Sequence, residues 1–316
     1  QDLSRGLQQK LSDHADTLDA DTKKRLEAAA AGIDRRCEFA LTSWIDMLGS
    51  LLKQTTPEQY VDWMEIERID GKAIDVGLYR HWVDPMKPFS AALKPHAHGV
   101  AVTSATLCDR TDDMEENWRV AKDVTGAQYL SPVVMQFQEN SPYDYASQSR
   151  VFIINDVNKN NIEHLAASYR ALFQAAQGSS LGLFTAIQRL REVYKRVREP
   201  LEHNGLSLYA QHCDDIDTAT LVDMFREDKK ACLLGTDAMR DGVDVPGESL
   251  QLLVYDRVPW PRPTILHKAR KKSFGGSRYD ELSTRLKLRQ AFGRLIRTQN
   301  DKGVFVMLDS GLPTRM

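Results

Sequence analysis

The 316-residue chain has no excess of either charge: 42 lysines and arginines stand against 44 aspartates and glutamates, a net −2 with histidine neutral. Its average charge does not attract a polyanion, so any nucleic-acid contact must come from a local patch. Cysteine is scarce as well. Cys37, Cys108, Cys213 and Cys232 are far apart and form no C-x-x-C pair, so neither a zinc site nor a disulfide framework is indicated, and buried or incidental thiols are expected. The absence of an 18-residue apolar run and of an N-terminal apolar h-region argues against membrane spanning and secretion; a cytoplasmic setting with no membrane partner is expected. Internal repeats and low-complexity tracts are also missing. What is present, 42% hydrophobic and 27% charged residues, is an ordinary soluble composition with enough chain for two to three structural units.

From about Asp21 to Lys53 the apolar positions Leu26, Ala30, Ile33, Cys37, Leu41, Trp44, Leu48 and Leu51 recur every three or four residues, which predicts one long amphipathic helix. The first eighteen residues are helical in character too, so a packed helical hairpin is expected, with a protein-binding coiled coil as the sharper variant. YVDWMEIER (60–68) and AIDVGLY (73–79), joined by IDGK, read as a strand pair. GVAVTSATL (99–107) reads as a buried strand that delivers small hydroxyls at its end. From about residue 150 continuously apolar strands alternate with helices: VFIIN, SLGLFTA, LSLYAQ, ACLLGTD, LQLLVYDRV and GVFVMLD. That rhythm predicts an α/β fold with a parallel sheet covered by helices on both faces, and ligands at the carboxyl ends of its strands. KARKKSFGGSR (268–278) reads as a flexible basic loop.

Near the end stands RQAFGRLIR (289–297). At 100° per residue, Leu288, Phe292 and Leu295 point one way while Gln290, Gly293, Arg294 and Arg297 share an opposite arc. Glycine weakens a helix by about 1 kcal/mol relative to alanine, so Gly293 suggests close approach of something to the backbone; a solvated face is the plainer alternative. In LLGTDAMRDGVDVPGESL (233–250), Gly235 and Thr236 end a strand where N–H groups and a hydroxyl suit a phosphate oxygen, and Asp244 is placed to orient a ribose or a facing arginine. GVDVPGES has phosphate-loop glycine spacing, but Glu248 stands where lysine belongs, so it is not a Walker A motif. A D-E-x-[HD] motif is also absent. Between Arg257 and Arg297 twelve lysines and arginines face only Asp280 and Glu281, a footprint for phosphates with strong salt dependence. Tyr255, Trp260 and Phe274 lie beside that run as candidates for base stacking. His96-Ala-His98 and HCDD (212–215) lack further ligands and read as ordinary loops.

GTDAMRDGVDVPG, QAFGRLIR and the D-x-G-x-x-x-x-L-D run from Asp301 to Asp309 together resemble the second motor domain of superfamily-two DNA helicases of the DinG/XPD type. TSATL (103–107) resembles that family's motif III, GLFTA (182–186) its motif IV, and SPYDYASQSRVFI (141–153) its stretch entering the second domain. The likeness runs over about residues 56–316. It implies a RecA-like fold in three parts: 1–55 as an Arch-like helical segment, 56–108 as the end of the first motor domain, and 109–316 as the second. The implied activity is ATP hydrolysis between two motor domains and 5′ to 3′ movement on single-stranded DNA. By position, Arg294 and Arg297 would be arginine fingers with Gln290 beside them, and Gly242, Asp244 and Gly293 would lie on the ATP side. Thr236, Thr185, Thr103, Ser104, Thr106 and the basic Lys268, Arg270, Lys271 and Lys272 would serve the DNA. ATP and Mg²⁺ would be held mainly by the N-terminal motor domain of the same parent protein. That domain's Walker motifs and iron–sulfur cysteines are not in this chain, so turnover by the chain alone is not expected. A nonenzymatic DNA- or protein-binding module of the same fold is the main rival, and a sugar-nucleotide transferase with a similar sheet a weaker one.

Overall fold

A computed structural model describes all residues except Gln1, Ala15, Asp70, Arg110, Pro132, Ala238, 240–248 and 314–316, and the backbone alone at Phe39. The chain divides into two compact units, Gln1–Pro85 with Thr264–Arg270, and Met86–Pro263 with Lys271–Met316.

In the first unit, α1 (Asp2–Asp13) lies along α2 (Ala20–Arg35). Buried Ser4 donates to the Ala30 carbonyl and Gln8 to Asp34, while Asp19 caps α2 through the Thr22 amide at 2.8 Å. The hairpin is as the periodicity predicts, but the long helix is not uniform. A π-helical turn over Arg36–Leu41 separates α2 from α3 (Thr42–Leu52). A π turn admits an extra residue and so shifts the phase of everything beyond it; Met47 ends up buried while Leu41, Trp44, Ile45 and Leu48 are exposed. The expected strand pair is β1 (Tyr60–Ile69) and β2 (Lys72–Trp82), an antiparallel ribbon in which Asp62 faces Arg80 and Trp63 faces Tyr79. The Asp62–Arg80 ion pair at 2.7 Å is nearly buried, and Arg80 also reaches the Ser50 hydroxyl on α3.

The second unit opens with helices α4 (Met86–Leu93), α5 (Met114–Thr125) and the short α6 (Ala127–Leu130) and α7 (Tyr145–Gln148). Its body is a six-stranded parallel sheet in the order β3-β8-β7-β4-β6-β5. The strands are β3 (Ser149–Ile153), β4 (Ser180–Phe184), β5 (Ser207–Ala210), β6 (Ala231–Thr236), β7 (Leu252–Tyr255) and β8 (Gly303–Met307). Strand alternation sorts their side chains into two cores. Leu181, Leu183, Leu233, Leu253, Tyr255, Phe305 and Met307 pack with α10 (Thr218–Glu227) and α12 (Ser277–Phe292). Cys232, Leu234, Leu252, Val254 and Val306 face α8 (Ile162–Ala176) and α9 (Ile187–Glu202). Helices therefore cover both faces, the α/β arrangement that the apolar strands predict. Gly182 marks close packing between sheet and helix: a Cβ there would sit 2.6 Å from the Tyr169 ring and 2.7 Å from Leu234.

Three local expectations are corrected. Residues 99–107 form no strand, and Val100 and Val102 are about half exposed; an apolar run becomes a strand only where a neighbour takes its N–H and C=O groups, and none of the described strands pairs with it. The basic stretch from Lys268 is not a loop but helix α11 (Ile265–Ser273), and only the glycines after it break the winding. The last helix stops at Phe292, with Gly293 as its C-cap at φ −64°, so Arg294 and Arg297 lie beyond it. Among the described residues no helix is long and apolar enough to cross a membrane.

Candidate functional site

Parallel strands give the sheet two polar rims, and the candidate residues divide between them. At the carboxyl rim, Thr185 follows β4 and Thr236 ends β6, both half-buried. The rim is organised by Asp256, which follows β7 and is fully buried. Its carboxylate accepts from the Thr185 amide at 3.0 Å and from Arg189 Nε at 2.7 Å, so it ties the exits of two adjacent strands to the first turn of α9. Burial pushes the Asp256 carboxyl up, and the Arg189 hydrogen bond and charge only partly offset this. Arg262 donates to the Thr185 carbonyl at 3.1 Å. The N-cap of α9, Ala186, offers no side-chain acceptor, so the helix start leaves backbone donors at this rim.

Thr236 is not open in the way Gly-Thr suggests. Its amide and hydroxyl both donate to Gln211 Oε1, at 3.0 and 2.9 Å; the carboxamide oxygen sits where a phosphate oxygen was expected. Tyr255 is corrected as well: it is fully buried in the core with its hydroxyl on Asp237, and is not available for base stacking. Trp260 stays 40% exposed while donating to the Gly311 carbonyl. Phe274 stacks on Tyr279. Asp309, closing the last motif, accepts from Lys159 and the amides of Val258 and Gly311. Burial alone would raise its carboxyl, but these donors hold it below the usual range.

The arginines take the other rim. The turn after α12 runs into Gly303, the first residue of β8, and buried Leu295 packs on that glycine. Arg294 and Arg297, both half-buried, therefore lie at the amino edge of the sheet rather than the carboxyl edge. Gln290 is in the last turn of α12, and exposed Gly293 follows it. A Cβ on Gly293 would meet the Arg289 carbonyl at 3.3 Å, so part of the reason for glycine here is its own helix end. The turn is fixed by Asp301, whose carboxylate accepts from the amides of Arg297 and Thr298, each at 2.8 Å, and from the Thr298 hydroxyl at 2.6 Å. Desolvation raises the Asp301 carboxyl; those donors and the Arg297 charge outweigh it and keep the group ionised below its ordinary range.

The basic run is less concentrated in space than in sequence. Asp109 pairs with Arg285 and Arg289, Asp237 approaches Lys287 at 3.5 Å, and Asp280 holds Lys271 at 2.6 Å. Arg270 donates to the Val83 carbonyl, whereas Lys268 and Lys272 are exposed on α11. Thr103 and Ser104 are exposed, and the Ser104 hydroxyl accepts from the Thr106 amide at 3.2 Å in a local turn. Gly242 and Asp244 lie outside the described residues. His96 and His98 are exposed, and among the described residues no group of three histidine, cysteine or carboxylate side chains is placed to hold a metal. Sequence reasoning missed Gln211, Arg189, Arg262 and Asp256. A polar residue directly after an apolar strand, as Asp256 is, was the available signal.

Comparison with known proteins matches residues 169–315 to the family described as helicase C-terminal domain. The chain is similar to the ATP-dependent helicase DinG of Mycobacterium tuberculosis, with 38% identity over 151 residues, 45% of this chain and 22% of that protein. A 28% identical match to the 3′-5′ exonuclease DinG of Bacillus subtilis extends over 80% of this chain and 28% of that protein. The ATP-dependent DNA helicase YoaA of Escherichia coli is 30% identical over 55% of this chain and 28% of its own length. The chain thus spans only about a quarter of these relatives.

Proposed function

We propose, from the premise that residues 169–315 match the helicase C-terminal domain family and are similar to the helicase DinG, that the chain is the second-motor-domain portion of an ATP-dependent DNA helicase moving 5′ to 3′ on single-stranded DNA. Residues 1–55 then belong to an Arch-like insertion, 56–108 to the end of the first motor domain, and 109–316 to the second. The observation that carries the reading is the pinned turn at the amino rim, which holds Arg294 and Arg297 on one short stretch of backbone tied down by Asp301.

Two guanidiniums and the Gln290 carboxamide are the donor chemistry that a γ-phosphate takes. ATP with Mg²⁺ supplies the phosphoryl group to be transferred and is held mainly by a first motor domain bearing the Walker motifs. In this assignment Arg294 and Arg297 neutralise charge developing on the γ-phosphate, Gln290 orients beside them, and Gly293 leaves room for the opposing surface. Gly242 and Asp244 stand on the nucleotide side of the preceding motif. Single-stranded DNA runs along the carboxyl rim, where Thr185 and the open start of α9 meet phosphates and Thr236 does so once Gln211 turns aside. Thr103, Ser104 and Thr106 couple nucleotide to strand. Lys268 and Lys272 add charge directly, while Arg270 and Lys271 must first leave their partners. An iron–sulfur cluster would draw no ligand from this chain.

The test is a polypeptide that joins this chain to a Walker-bearing first motor domain. Arg294→Ala or Arg297→Ala should lower kcat for DNA-stimulated ATP hydrolysis by about 10³ or more, the scale of arginine fingers elsewhere. Undiminished hydrolysis in both variants sinks the assignment. The nonenzymatic alternative predicts no turnover in the joined protein and DNA binding indifferent to ATP.

A further inference from the structure

The stretch SPYDYASQ (141–148) carries no role in the reading above, yet it grips the arginine-bearing turn at three points. The Tyr145 ring packs on Phe292, the last residue of α12, with centroids 5.8 Å apart. The Tyr143 hydroxyl donates to the Arg297 carbonyl. Gln148, nearly fully buried, directs one amide nitrogen at three carbonyls, Thr298 at 2.9 Å, Gln299 at 3.2 Å and Asp301 at 3.0 Å. The stretch is itself braced: Ser141 donates to the Tyr145 hydroxyl, Asp144 caps α7, and the Tyr143 and Tyr145 rings meet edge to face. On the other side of the turn Asp301 takes the Arg297 and Thr298 amides. The backbone carrying the guanidiniums is thus held through its N–H groups by one partner and through its carbonyls by another, 150 residues away.

Resting on the assignment of Arg294 and Arg297 above, we infer that Tyr143 and Gln148 are positioning residues for the arginine turn, so that the segment entering the second sheet sets the placement of both guanidiniums. Among the described residues before this grip, Ser131 and 133–140 have no helix or strand, and β3 begins directly after it. A pull on that approach therefore reaches the turn through two side chains, which makes the segment a regulator of the arginines without contact with the nucleotide. Small displacements suffice, because a misplacement of about 1 Å can cost 10²-fold in rate.

Two variants test this. Tyr143→Phe removes one hydroxyl and keeps the ring; Gln148→Glu keeps the shape and replaces the donating amide NH₂ by a carboxylate oxygen that the three carbonyls repel. In the 316-residue chain, amide hydrogen exchange at Arg297 and Thr298 should accelerate at least tenfold in both. In the joined polypeptide described above, kcat should fall about tenfold or more, with the KM for ATP and the affinity for single-stranded DNA within twofold of the parent. If Gln148→Glu fails to fold, Tyr143→Phe still decides. Unchanged exchange at residues 297 and 298 overturns the grip itself. Faster exchange with undiminished kcat, beside an inactive Arg297→Ala protein, overturns the inference alone; undiminished kcat in Arg297→Ala overturns the assignment on which it rests.

Discussion

Replacing Asp256 by alanine removes the acceptor shared by Arg189 Nε and the Thr185 amide. The carboxylate is fully buried and the guanidinium 17% exposed, so the cation left behind is mostly out of water. Removing one partner of a buried pair costs about 3–5 kcal/mol; because Arg189 retains some solvent, a loss of about 3 kcal/mol is expected, a large share of the roughly 5–15 kcal/mol of a typical domain. Urea denaturation followed by circular dichroism measures it, with an unchanged slope for the sheet-bearing unit. The sign of the pH dependence is opposite to that of an ordinary ion pair. Burial raises the carboxyl in the folded protein, so between the unfolded and folded values the native state keeps a proton that the unfolded chain has lost. The contribution of this group is then largest below the unfolded value of about 3.9 and falls as pH rises through the folded one. Asp256→Ala should lack that slope. Since desolvation outweighs the pairing, the double replacement Asp256→Leu/Arg189→Leu should lie within about 1 kcal/mol of the parent. A single-variant loss under about 1 kcal/mol, or additive losses in the double variant, would refute the reasoning.

Gly182→Ala should destabilise by about 1–3 kcal/mol, the usual range for overpacking, because both neighbours of the new methyl are buried core side chains; a variant within a few tenths of the parent by denaturation would show that the Tyr169 ring gives way freely. Single-stranded DNA binding should weaken with salt, and Lys268→Ala and Lys272→Ala should each reduce the slope of log K against log salt by about 0.7. Lys271→Ala should change it less, since that ammonium already pairs with Asp280; equal slopes for all three would put the path of the strand elsewhere.

The central sheet was legible because buried parallel strands are apolar on both faces, and ACLLGT and SLGLF can hardly be anything else. Residues 99–107 misled because strand character in a short apolar run needs a neighbour, which sequence does not display. Extrapolating α12 through Arg297 failed for a different reason: the spacing of Leu288, Phe292 and Leu295 continues the helical pattern, yet Leu295 is buried against β8 from a turn. The candidate site was only half legible. Arginines and threonines could be named, but not the rim each would occupy, nor that Gln211 sits on Thr236 and Asp109 offsets the basic run. Those relations join residues far apart in the chain.

The opposition of the two rims limits how ligands bound there can sense each other. A strand of five residues is about 17 Å long, too far for any side chain to bridge, and a hydrogen-bonded parallel ladder stretches little along its axis. A disturbance at one margin can therefore reach the other only by tilting the sheet as a plate, or by travelling around it through the connecting turns.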